Sequence, residues 1–392
     1  MTVTTTKACG LQQVLQAVPQ WKTMCGTGAL PVLDAIAKCR TPALGHHLYV
    51  CPGQDCGHIK MQYHSCRNRH CPHCGNSKKD EWIEARMREL LPCKYFHTVF
   101  TLPHELNPIM MGNRKAMFKL LFEASSATLN IFGRDPKHLG AQVGIISVLH
   151  TWGQQLSFHP HVHCIVTGHG WDKKNHAWVE AKKPHRLFPV LAMETVYEAY
   201  FTRRLKEMKA NGGITLNEEQ KSGWAALLQE VKHKRWVVYA KQPFGGPAQV
   251  VEYLGRYTHK VAISNSRIKD VDDGGQVTFD YKDYADEGKT KQMVLPGMEF
   301  IRRFAQHILP RGFCKIRSYG LYANHKRLTR VNMILKAQGK PPHPPAVKVP
   351  WEVRFMEKNG TDPLLCPCCK KAQMVLLRIV FGGKEKGEVM KQ

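Results

Sequence analysis

Gly144-Ile-Ile-Ser-Val-Leu-His-Thr-Trp152 and His161-Val-His-Cys-Ile-Val-Thr167 are two apolar runs joined by a short polar loop. Runs of this length, rich in β-branched residues, favour strands, and the loop is short enough for an antiparallel hairpin. Alternate side chains of a strand share a face, so His161 and His163 point the same way while Val162 turns into the core. The hairpin also carries His150 alongside them. Two imidazoles are too few for a firm metal site. His150 is the expected third ligand, with Gln154, His159 and Glu252 as rivals. Such a set can hold Mg²⁺ or Mn²⁺ against a phosphate, with positions left for water and the scissile group.

Downstream, Gln242-Pro-Phe-Gly-Gly-Pro247 reads as a turn that starts a helix, with proline suited to its first turn. That helix carries Tyr253-Leu-Gly-Arg-Tyr-Thr-His-Lys260, whose two tyrosines, four residues apart, share one face. A phenol of pKa about 10 is a poor nucleophile at neutral pH without help. Arg256 and Lys260, each three residues after a tyrosine, supply positive charge that favours the phenolate and grips a phosphate. Gly255 inside the helix costs about 1 kcal/mol relative to alanine, which points to a close approach there. Metal-binding histidines and paired tyrosines together suit cutting and rejoining single-stranded DNA through a covalent phosphotyrosine.

The remaining segments read as an α+β protein. Helices are expected within residues 10–40, then at 78–91, 114–132, 193–209, 224–231 and 298–307. Strands are expected at 95–102, 144–152, 161–167 and 235–241, with a β-meander at 264–269, 276–281 and 291–295. The domain reading is a helical lead-in (1–45), a zinc-binding domain (46–92), a catalytic core (93–270), a β-meander with a basic DNA-contacting segment (271–339), and a Pro-rich linker with a cysteine cluster and charged tail (340–392).

Cysteine usage points to metal. The spacer of Cys71-Pro-His-Cys74 lets both thiolates reach one ion, and Cys51 with Cys56 would complete a tetrahedral Cys₄ zinc site. Cys66 and His70, with His47, are surplus donors for a second zinc ion. Cys366-Pro-Cys-Cys369 is half a site, able to borrow ligands from elsewhere in the chain or from a second protomer. Arg67 and Arg69 beside the cluster are expected to touch phosphate.

Lys+Arg 57 against Asp+Glu 31 gives a formal charge of +26, which favours a polyanionic partner through counterion release. No run of about 18 apolar residues is present, so no membrane span is expected, and the N-terminus lacks a signal-peptide layout. A cytoplasmic, DNA-associated protein with reduced thiols is the expectation. No Walker-type glycine loop marks a built-in helicase.

With these motifs placed, the chain resembles the rolling-circle insertion-sequence transposases of the HUH superfamily, in the two-tyrosine bacterial branch. The likeness runs from about residue 10 to 330. It includes Cys39-Arg-Thr41, Ser65-Cys-Arg-Asn-Arg-His-Cys-Pro72, Phe96-His-Thr-Val-Phe-Thr-Leu-Pro103, Leu149-His-Thr-Trp-Gly153, His159-Pro-His-Val-His163, Tyr253-Leu-Gly-Arg-Tyr257 and Phe300-Ile-Arg-Arg-Phe304. The resemblance implies an HUH endonuclease core with a central antiparallel sheet flanked by helices, preceded by a zinc-binding module. It implies His161 and His163 as metal ligands, Tyr253 and Tyr257 as nucleophiles, a 5′-phosphotyrosine and a free 3′-OH. The chain departs from the family pattern at two places. Position 150 is histidine where related initiators carry an acidic residue, and Cys51 and Cys56 have four intervening residues where two are usual.

On this reading the zinc module and the basic residues Arg302, Arg303, Lys315 and Arg317 hold an element end as single-stranded or hairpin DNA, with Tyr319 as a stacking platform. Host replication factors are candidate partners. The competing readings are a plasmid or phage rolling-circle replication initiator and a non-catalytic zinc-finger DNA-binding regulator.

Overall fold

A computed structural model describes residues 9–75, 79–87, 89–183, 185–244, 246–247, 249–250, 253, 255, 261–344, 349–382 and 384–385. The N-terminal part contains α1 (Leu11–Ala17), α2 (Trp21–Met24), α3 (Leu30–Ala37), the hairpin β1 (Gly45–Val50) and β2 (Ile59–Tyr63), and α4 (Lys79–Met87). The lead-in is thus three short helices, interrupted at Pro19 and at Gly26-Thr-Gly28, because proline and glycine disfavour a continued helix.

The centre follows with β3 (Tyr95–Thr101), α5 (Asn107–Gly112), α6 (Arg114–Arg134), β4 (Gln142–Trp152), β5 (Phe158–Asp172), β6 (Ala177–Glu180), α7 (Val190–Ala210), α8 (Glu218–Ser222), α9 (Trp224–His233) and β7 (Val238–Phe244). Then come β8 (Ile268–Val271), β9 (Gln276–Asp283), β10 (Lys289–Pro296), α10 (Gly297–Ala305), β11 (Ile316–Gly320), α11 (Arg327–Ala337), α12 (Trp351–Asn359), β12 (Val375–Phe381) and β13 (Lys384–Glu385). None of the described helices is long and apolar enough to cross a membrane.

The central six-stranded antiparallel sheet runs β11-β4-β5-β3-β7, with β6 attached to β5. Its two faces have different neighbours. One face, including Phe100, Ile145, Leu149, Val162, Cys164, Val166 and Val238, packs on α6 and α7 in the largest core. Those helices present matching stripes: Met117, Leu121 and Ala124 on α6, and Met193, Tyr197, Phe201 and Leu205 four apart on α7. Burying a Leu or Phe contributes roughly 1.5–3 kcal/mol, so this layer fixes the sheet firmly. Glu194 of α7 secures the edge strand by pairing with Arg235 and accepting the Val238 backbone N–H. Trp236, buried beside α7, donates to the Val231 carbonyl, and β7 therefore starts at Val238 where the sequence pattern placed a strand from 235.

The other face carries Tyr95, Ile146, Val148 and Ile165, packed at one end against Leu321, Tyr322, Val331 and Ile334, with Tyr253 on the margin. At its opposite end the same face carries histidines.

Packing crosses the boundaries drawn from sequence. Leu11, Val14, Leu15 and Trp21 of the lead-in share a core with Val277 and Phe279 of the β8–β9–β10 sheet and Phe300, Ile301 and Phe304 of α10. The C-terminal strand β12 returns to pair with β1, giving the sheet order β13-β12-β1-β2.

Candidate active site

Strand register assembles the histidines. His150 of β4 sits directly opposite His161 of β5, and Val148 opposite His163. His150, His161 and His163 therefore project from one face, with each offering a ring nitrogen within 4.8 Å of the others. The rings of His150 and His163 lie 4.5 Å apart, centre to centre, and those of His161 and His163 4.9 Å apart. Of the rivals to His150, Gln154 donates to the Tyr284 hydroxyl and His159 gives its carbonyl to His161. Glu252 lies outside the described residues.

Burial pushes His161 down to about 4, so its imidazole is neutral at physiological pH. Its Nδ1 lies 2.6 Å from the His159 carbonyl oxygen and so donates the ring proton there, leaving the Nε2 lone pair for a ligand. His150 stacks on Trp152 at 4.9 Å with an interplanar angle of 17°, which limits its rotation. Three imidazoles converging from one sheet face form a donor set suited to a divalent transition ion.

Tyr253 reaches this cluster. Its hydroxyl lies 2.8 Å from Nε2 of His97 and 3.3 Å from Nδ1 of His163, while those two nitrogens are 2.9 Å apart. A proton on His163 Nδ1 leaves its Nε2 lone pair for an ion, the same tautomer as His161. The Tyr253 ring is held between His97, at 4.7 Å, and Phe244, at 5.1 Å. His97 belongs to this site although sequence reasoning missed it. It lies on β3 with the alternation of Val99, which pairs with His163, so it shares the histidine face. Burial, then the positive charge of Lys241, pushes it down to about 3, leaving a neutral ring beside the phenol. Of the other expected catalytic residues, Tyr257, Arg256 and Lys260 lie outside the described residues.

A cavity of about 460 Å³ opens on the histidine face, lined by His150, His161, His163, Gln154, Tyr281 and Tyr284 among others. Tyr281 and Tyr284 come from β9 and the turn after it, another contribution that sequence periodicity did not single out.

The cysteines pair differently from expectation. Cys71 and Cys74 join Cys39 and Cys66, and Cys51 and Cys56 join Cys366 and Cys369. The expected Cys51–Cys56–Cys71–Cys74 set does not form because the β1–β2 hairpin separates its halves. Arg40 N–H bonds the His64 carbonyl at the end near Cys39 and Cys66, whereas Cys51 N–H bonds the His58 carbonyl at the opposite end. Five paired residues at about 3.3 Å each hold the two ends roughly 16 Å apart. Cys66 thus belongs to the first cluster and not to a second ion with His70. His70 accepts the Leu309 N–H through Nε2, and desolvation pushes its ring down to about 3, so it stays neutral. His47 makes ring contacts with Tyr49 and His64 instead. Cys39, which the sequence reading did not single out, is the fourth member of the first cluster. Hydrogen bonds from Cys66 and from the Cys74 and His73 backbone hold the Cys71 thiol down, which suits a thiolate ligand.

The basic residues expected on DNA separate into distinct environments. Arg302 and Arg303 both pair with Glu299. Arg69 donates to the Phe313 carbonyl at 2.6 Å. Arg317 stacks on Phe122 and Phe313, and its neighbour Tyr319 packs against the main core, both on the sheet face turned from the histidines. Tyr319 is therefore not a free stacking platform. Lys315 lies 5.2 Å over the Trp152 ring, and burial pushes its ammonium down to about 7. Arg67 is exposed.

Comparison with known proteins supplies a context for this arrangement. A family model described as "Putative transposase" matches residues 144–329, and one described as "Transposase zinc-binding domain" matches residues 12–102. The chain is 40% identical over 370 residues to "Putative transposase y4qJ" of Sinorhizobium fredii, covering 92% of each chain. It is 30% identical over 347 residues to the transposase for insertion sequence element IS801 of Pseudomonas savastanoi, covering 88% of this chain and 82% of the relative. No solved structure matches.

Proposed function

The chain belongs to the insertion-sequence transposases that carry the IS91-type zinc-binding domain, and from that premise we propose that it cuts and rejoins single-stranded DNA at element ends through Tyr253. The observation that carries this reading is the Tyr253 hydroxyl, 2.8 Å from His97 and 3.3 Å from His163 at the edge of the histidine cluster.

An ion held by His150, His161 and His163 would supply Lewis-acid polarisation of the scissile phosphate. An all-imidazole set suits Mn²⁺ better than the harder Mg²⁺. The chain's own groups do the rest. His97 orients the Tyr253 hydroxyl and accepts its proton as the phenol oxygen attacks phosphorus. The Tyr–O–P bond forms, the P–O3′ bond breaks, and the 3′ oxygen takes up a proton on leaving. A 5′-phosphotyrosine and a free 3′-OH result, and the retained phosphoester energy permits rejoining without a nucleotide cofactor. Tyr257, four residues on, is proposed to act at the second strand, with Arg256 and Lys260 neutralising phosphate charge. The cavity beside the histidines, with Tyr281 and Tyr284 in its wall, is proposed to receive unpaired bases, which stack well on tyrosine.

End-labelled single-stranded DNA incubated with the protein and Mn²⁺ tests the reading. A covalent, protease-sensitive adduct is expected, with the DNA-linked peptide mapping to Tyr253 or Tyr257. Retardation without an adduct, or an undiminished adduct in the Tyr253→Phe/Tyr257→Phe double variant, overturns it. The latter two outcomes favour a binding protein or a different nucleophile.

A further inference from the structure

We propose that Cys51, Cys56, Cys366 and Cys369 form a second tetrathiolate zinc site that locks the C-terminal segment onto the N-terminal zinc module. The four sulfurs lie within 4.8 Å of one another. Cys51 Sγ is 3.6 Å from Cys369 Sγ, and Cys56 Sγ is 3.7 Å from Cys366 Sγ. A tetrahedral ion with Zn–S bonds of about 2.3 Å sets sulfurs about 3.8 Å apart, whereas a disulfide needs about 2.05 Å. The spacing therefore matches zinc and not oxidation. The Cys39–Cys66–Cys71–Cys74 cluster repeats it, with Cys39 and Cys74 sulfurs at 3.5 Å and Cys66 and Cys74 sulfurs at 3.8 Å.

Backbone geometry supports the same conclusion. Each pair sits on a tight turn: Cys56 N–H bonds the Gly53 carbonyl, and Lys370 N–H bonds the Cys366 carbonyl. The residue directly after the second cysteine is left-handed in both, Gly57 at φ 53° and Lys370 at φ 54°. Arg67, directly after Cys66, has φ 53° as well. A non-glycine residue rarely adopts this conformation, so its recurrence beside cysteines points to turns shaped around a ligand.

The packing shows why an ion is needed here. The local core consists of Cys51, Cys366 and Met374, with Tyr49, Cys56, Cys369 and Ala372 partly buried. Every residue of β2 is exposed, and β12 is exposed over most of its length. A sheet with so little buried apolar surface cannot hold itself together, and small modules of this kind gain their fold from metal. Residues 366–369 lie outside both family-matched regions, so the matched zinc-binding domain contributes only half of the ligands. Cys368, exposed between Cys366 and Cys369, is not part of the cluster.

Metal analysis of the purified full-length protein tests the proposal independently of any DNA chemistry. Counted by thiolate-to-cobalt charge transfer in the cobalt-substituted protein, to which the histidine trio does not contribute, two tetrathiolate ions per chain are expected, falling to one in Cys366→Ser/Cys369→Ser and remaining two in Cys368→Ser. Limited proteolysis of the double variant should release the C-terminal segment while the rest of the chain stays intact. Should that variant misfold, cobalt reconstitution of the wild-type protein still reads the site, because two tetrathiolate ions per chain give twice the charge-transfer intensity of one. One tetrathiolate ion per wild-type chain, two retained by the double variant, or a Cys51–Cys369 disulfide in the reduced-purified protein would each overturn it.

Discussion

His97 and Tyr253 meet where a phenol and a neutral imidazole can exchange a proton, with Nε2 and the hydroxyl 2.8 Å apart. General bases contribute about 10²–10⁴-fold to rate, and a ring pushed down to about 3 is a weak base, so the low end applies. His97→Gln, which keeps polar contact but cannot take the proton, should lower single-turnover cleavage about 10²-fold with DNA affinity unchanged. Part of that loss should return as pH rises, because hydroxide can then take the phenol proton in place of the imidazole. In the wild type, a base held near 3 stays unprotonated on acidification, so the rate should show no inflection from it near pH 6.5. A flat response to His97→Gln at all pH values would remove it from the chemistry. The histidine trio was legible from sequence because strand alternation and a short hairpin are local signals. His97 was not, because its place depends on the pairing of Val99 with His163, more than sixty residues away.

At the scale of elements, the β4–β5 hairpin is a rigid mount because its back face is fully packed. Phe100 on the neighbouring strand β3 is completely buried and meets the Tyr197 ring of α7 at 5.1 Å. Phe100→Ala should cost about 3–5 kcal/mol, by lost transfer energy and the cavity left behind. Urea denaturation reads that loss, and the surviving folded fraction should still form the tyrosine adduct, because Phe100 faces away from the histidines. A variant of full stability would show that the helical layer does not support the sheet. The strongly apolar elements β3, β4, β5, α6 and α7 could be read from their periodicity. The hairpin β1–β2 and strand β12 could not, since their exposed residues lack a buried face and a ladder formed between chain ends leaves no local pattern. The cysteine pairing was misread for the same reason: Cys51 is nearer to Cys71 in sequence than to Cys366, and the hairpin reverses that order in space.

For the whole molecule, the formal charge of +26 predicts strong, salt-sensitive attraction to DNA without saying which cations face it. The structure divides the candidates. Arg302 and Arg303 share the one carboxylate of Glu299, which they hold down to about 2, so the trio keeps a single net positive charge, and Arg317 is committed to Phe122 and Phe313. Arg67 is exposed on the turn beside the Cys39–Cys66–Cys71–Cys74 cluster, where a phosphate could reach it. Each phosphate contact to a single strand contributes about 0.7 to the slope of log affinity against log salt. Arg67→Ala should therefore reduce that slope by about 0.7, weakening binding evenly across sequences. Arg317→Ala should leave the slope unchanged and lower stability instead, through the lost stacking on two core rings. Titrations of single-stranded DNA at several salt concentrations separate the two. If Arg317→Ala flattened the slope and Arg67→Ala did not, the strand would run over the α6 side of the sheet, behind the histidines. Tyr253 could then not reach the phosphate it is proposed to attack.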